Sequence, residues 1–84
     1  MKYNPGEVYI LQRGEYTTTA LVTASSWPYK AARITTGPNL KEYAEGGITK
    51  GYLDLFTRTD WTAWAEAVAK LTDYLLALPA EVLE

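Results

Sequence analysis

From Trp61 to Leu78 large apolar residues recur at spacings of 3, 4, 3, 4 and 3 (Trp61, Trp64, Val68, Leu71, Leu75, Leu78), the clearest periodicity in the chain. That spacing lines one face of an α-helix. Asp60 or Thr59 is placed to cap its start, and Pro79 stops it, so a helix is predicted over about 60–78. Glu66 and Lys70 stand four apart on its outer side, in the favourable order for an intrahelical pair. An amphipathic helix needs a surface to cover, and the preceding residues must build one.

Those residues read as strands. Glu7 to Gln12 carries Val8, Tyr9, Ile10 and Leu11, all good strand formers, and Arg13-Gly14 supplies a two-residue turn. Glu15 to Ala24 returns with Tyr16, Thr18, Ala20 and Val22 on one face and Thr17, Thr19, Leu21 and Thr23 on the other. Pro28 lacks an amide donor and suits the start of a third strand, 28–36. Asn39 with Glu42 has capping-box spacing, which predicts a short helix near 39–45 ending at Gly46-Gly47. A fourth strand is expected over 48–57. Gly51, Leu53 and Leu55 would lie on one side, and Lys50, Tyr52, Asp54 and Phe56 on the other. The expectation is one α+β domain over 1–84: an antiparallel sheet of three to four strands (7–12, 15–24, 28–36, 48–57) with the C-terminal helix on one face.

The chain has no cysteine and no histidine. Thiol nucleophiles, histidine proton shuttles and Cys/His metal sites are therefore excluded, and packing alone must hold the fold. With 48% hydrophobic residues there is enough to do so, and disorder is not expected. Stability should fall at about 4–13 kcal/mol, the usual range for this length. The first six residues lack the apolar stretch of a signal peptide, and Tyr74 to Ala80 is too short to span a bilayer. A cytoplasmic location without membrane contact is the default expectation.

Charge is unevenly placed: residues 1–59 carry +2 and residues 60–84 carry −4. A mildly basic sheet would then back onto an acidic helix. Gly46 to Gly51 has glycines around Thr49-Lys50, but the order is not that of a phosphate loop, which runs Gly-Lys-Ser/Thr into a helix. Glu42 with Glu45 and Asp54 with Asp60 are the available carboxylate pairs. Nothing in the sequence sets either pair across a cleft, so no catalytic residue, metal or cofactor is assigned.

The residues with most binding potential are aromatic and basic. Tyr29, Arg33, Lys50 and Tyr52 fall on alternate positions of two expected strands, with Trp27, Tyr43 and Arg58 at their ends. Tyrosine, tryptophan and arginine dominate protein-binding hot spots, and they also stack on bases and neutralise phosphates. Separately, adding Ala65, Thr72, Tyr74 and Leu76 widens the apolar arc of the helix to roughly 200°, about twice what one sheet needs. Either the tail Pro79–Glu84 folds back over it, or Trp61, Tyr74 and Leu76 contact a partner or a second copy in a homodimer.

A small acidic aromatic domain without catalytic equipment points to a non-enzymatic protein-binding module, a stoichiometric inhibitor or adaptor of a larger protein. Immunity proteins, antitoxins and phage- or mobile-element-encoded inhibitors such as anti-CRISPR proteins work in this way. The alternative is a nucleic-acid- or nucleotide-binding domain using the same aromatic and basic face.

Overall fold

The computed structural model describes residues 2–26 and 28–79. Its elements are β1 (Val8–Arg13), β2 (Tyr16–Ala24), β3 (Lys30–Gly37), β4 (Leu40–Gly47), α1 (Lys50–Leu53), β5 (Thr57–Thr59) and α2 (Trp61–Ala77). The strands form one antiparallel sheet in the order β4-β3-β2-β1-β5. The α+β architecture is the one the periodicities predict, with five strands where three to four were expected.

The first hairpin turns at Gly14-Glu15, one residue later than expected, with Gly14 at φ 59° and Arg13 paired with Tyr16. That left-handed conformation is strained for any residue with a Cβ. Two segments differ from expectation in type. Residues 40–47 form strand β4, not a helix, because Pro38-Asn39 makes a two-residue turn that pairs Gly37 with Leu40. Glu42, whose spacing from Asn39 suggested a helix, is with Lys41 and Glu45 one of the charges that an edge strand carries to discourage further pairing. Glu42 and Glu45 consequently project to opposite faces of the sheet instead of sharing one helix face.

The second is 48–57, expected as a strand. Thr49 caps a single helical turn there by accepting the backbone N–H of Tyr52 at 3.1 Å, and only Thr57–Thr59 pairs as a strand, with β1. The sides therefore regroup: Ile48, Leu53 and Phe56 are buried while Leu55 is exposed.

One face of the sheet, the open face, carries Tyr9, Ala20, Val22 and Ala31. Tyr3, Ile48, Leu53 and Phe56 cover these residues and complete the main core. The opposite face carries Val8, Thr19, Ala32 and Ile34, buried beneath α2. Asp60 caps α2 by accepting the N–H of Thr62 at 2.9 Å, and the helix ends before Pro79, as its sequence signals indicate.

The face that α2 sets on the sheet is not its line of largest residues. Ala67 is its one buried residue. Ala63 and Ala67 lie over Ile10, Thr19 and Thr36, while Val68 and Leu75, expected at the centre of the contact, are exposed. On an ideal wheel this rotates the helix by roughly 70° from the expected orientation. Small residues at the contact let the helix approach a threonine-rich surface closely.

Candidate functional site

Beyond the core, the open face continues onto β3 and β4 with no element of the described residues above it. Cross-strand pairing places Ala20 opposite Arg33, Arg33 opposite Ala44, and the row Thr18–Thr35–Glu42 beside them. Tyr52, held at the edge of this surface by α1, closes it into a pocket of about 270 Å³ lined by Thr18, Arg33, Thr35, Glu42, Ala44 and Tyr52. The Thr18 and Thr35 hydroxyls bond each other at 3.0 Å across its floor. The Tyr52 ring is held edge-on by Phe56, with centroids 5.1 Å apart.

Arg33 is the centre of this pocket. Its Nε is buried without a hydrogen-bond partner, and among the described residues its guanidinium forms no ion pair. Glu42 shares the pocket without bridging to it. One cation, one anion, two threonine hydroxyls and a tyrosine thus line a single concavity.

Two other basic residues singled out from the sequence, Arg58 and Lys50, are already paired. Arg58 donates to Glu7 at 2.9 Å and lies over the Tyr9 ring at 5.7 Å, and Lys50 pairs with Asp54 at 3.0 Å. Hydrogen bonds from the Asn4 backbone and Tyr9, with Arg58 adding to them, hold the Glu7 carboxyl below its ordinary pKa. Asp54 is lowered too, first by the Tyr3 hydroxyl and then by Lys50.

No family model, curated protein or solved structure matches this chain.

Of the residues singled out from sequence, Arg33 and Tyr52 meet in one pocket, although Tyr52 arrives from α1 and not from a strand. Tyr29 precedes β3 and packs edge-on against Tyr3 at 5.7 Å; with Lys50 it borders a neighbouring recess. Tyr43 pairs with Ile34, which puts it on the α2 side of the sheet, where its hydroxyl donates to Glu45 at 3.0 Å. Trp27 lies outside the described residues, as do 80–84, most of the tail that is one of the two covers the sequence offers for the helix. Thr18 and Thr35 were not singled out, although strand alternation already set Thr18 on the face of Ala20. Glu42 figures in the sequence as the capping-box partner of Asn39 and as half of a carboxylate pair, because that spacing predicts a helix where β4 forms.

Tyr3 ties the N-terminus to α1. Its buried hydroxyl donates to Asp54, and burial first, then that hydrogen bond, push its pKa from 10.0 up to about 12. A raised folded-state pKa keeps the proton on the folded protein after the unfolded chain has lost it. The stabilisation is therefore complete below pH 10 and is lost as pH rises toward about 12. Denaturation midpoints measured across that window should fall steadily. Tyr3→Phe should flatten most of the slope, leaving the parts due to Tyr9, raised by burial, and Tyr43, raised by its hydrogen bond to Glu45. An unchanged slope would place the Tyr3 hydroxyl outside the core.

Proposed function

We propose that this chain is a non-catalytic binding module that captures a protein partner on the open face and acts by occupancy, as an inhibitor or adaptor. The observation that carries this reading is the company kept by the three cations that the sequence offers as binding residues, Arg33, Lys50 and Arg58. Lys50 and Arg58 are neutralised by Asp54 and Glu7, and Arg33 shares its pocket with Glu42. A polyanion needs several unneutralised cations in a row, and Glu42 would repel its phosphates. A protein segment offering a carboxylate to Arg33 and a donor to Glu42 satisfies both, while Tyr52 supplies flat area that costs little side-chain entropy to fix.

Selection of a random peptide library on the purified protein tests this. The expected outcome is a consensus with an acidic residue next to a basic or amide one, bound one to one, without turnover, and with modest salt dependence. Tight binding of oligonucleotides that weakens steeply with salt, with no peptide consensus, would replace this reading with the nucleic-acid one.

A further inference from the structure

α2 leaves a second surface uncovered, on the other side of the sheet from the Arg33 pocket. Trp61 is 57% exposed, Val68 39%, Leu75 43% and Leu76 79%, in a helix that buries only Ala67. We infer that this stripe is the interface of a homodimer in which two copies of α2 pack antiparallel about a two-fold axis at Val68. The inference stands on the helix alone and does not depend on the open-face reading.

Trp61, Ala65, Val68, Thr72 and Leu75 follow one another at spacings of 4, 3, 4 and 3, the seven-residue repeat of a helix–helix seam. The pattern is self-complementary. Val68 is seven residues from Trp61 and seven from Leu75, so an antiparallel pair sets each Trp61 against the other copy's Leu75. Ala65 and Thr72 between them are small enough for the helices to approach. An unrelated partner would not require this symmetry, whereas a two-fold interface does.

Charge agrees with the pairing. Glu66, Lys70 and Asp73 lie about 120° or more round the helix from the Trp61–Val68 line, so the seam buries no charge and opposes no like charges. Antiparallel helices also set their dipoles in the favourable sense. The exposed stripe amounts to on the order of 500 Å² per copy, or about 1,000 Å² for the pair, the lower bound for a specific interface. A dimer forming at micromolar or higher concentration follows. It would carry its two Arg33 pockets on the outer surfaces, away from the interface.

Sedimentation equilibrium of the full chain from about 1 μM to 1 mM tests this. The mass is expected to rise from 9.4 kDa to twice that value. At a two-fold axis residue 68 meets itself, so Val68→Glu and Val68→Lys should each raise the dissociation constant at least tenfold, with circular dichroism unchanged. An equimolar mixture of the two variants should pair again. A protein that stays monomeric at every concentration overturns the inference. So does a dimer that survives both substitutions, or a mixture that does not pair although the native protein does.

Discussion

Leu53→Ala should cost about 2–5 kcal/mol, the range for deleting a fully buried leucine side chain. Leu53 is fully buried, and it fixes the one-turn α1 onto Tyr3, Tyr9, Ala20 and Val22 of the core. In a domain whose total stability is expected at about 4–13 kcal/mol, that removes a large share. The helix should matter less per residue than its periodicity suggests. Leu71 is only half-buried, so Leu71→Ala should cost about 1–2 kcal/mol, part of the value for a fully buried side chain. Urea denaturation of the two variants gives the order directly. A larger loss at Leu71 than at Leu53 would mean that α2, not α1, is the principal cover of the sheet.

Arg33→Met should weaken partner capture strongly while leaving the domain as stable as before or slightly more so. The Arg33 Nε is buried with no partner, an arrangement that costs about 1–3 kcal/mol until something satisfies it. Methionine fills a similar volume and removes that cost. Binding should drop at least tenfold, or about 1.4 kcal/mol. Arg33→Lys keeps the charge but loses the planar fork, and should recover little of it. Removing Glu66 or Asp73, exposed residues of α2 on the other side of the sheet from the pocket, should change binding hardly at all. Arg33→Met proteins that unfold at lower denaturant yet bind normally would assign Arg33 to the architecture and not to recognition.

How far the sequence reveals this molecule depends on the strength of each local signal. β1, β2, β3 and α2 follow from alternation, a glycine turn and an Asp60–Pro79 bracket, because those residues have one local preference each. β4 does not, since an edge strand protected by Lys41, Glu42 and Glu45 carries the residue types of a solvated helix. Residues 48–57 mislead for a related reason: Thr49 makes its cap with a side-chain oxygen, which no apolar period records. The orientation of α2 is hidden in a different way. Periodicity counts large residues, and the sheet takes the small ones, Ala63 and Ala67. Arg33 and Tyr52 were legible as candidates because Tyr and Arg dominate binding hot spots and fall on alternate positions of the expected strands. Their meeting in one pocket was not, because it depends on α1 folding over the sheet.

The most direct test of the Arg33 pocket as the recognition site is amide chemical-shift mapping with a peptide taken from the library selection. Binding at the pocket should move the resonances of Thr18, Arg33, Thr35, Glu42 and Tyr52, on three strands and α1, and leave Trp61 to Leu76 where they were. Shifts confined to α2, with the pocket resonances unmoved, would contradict it.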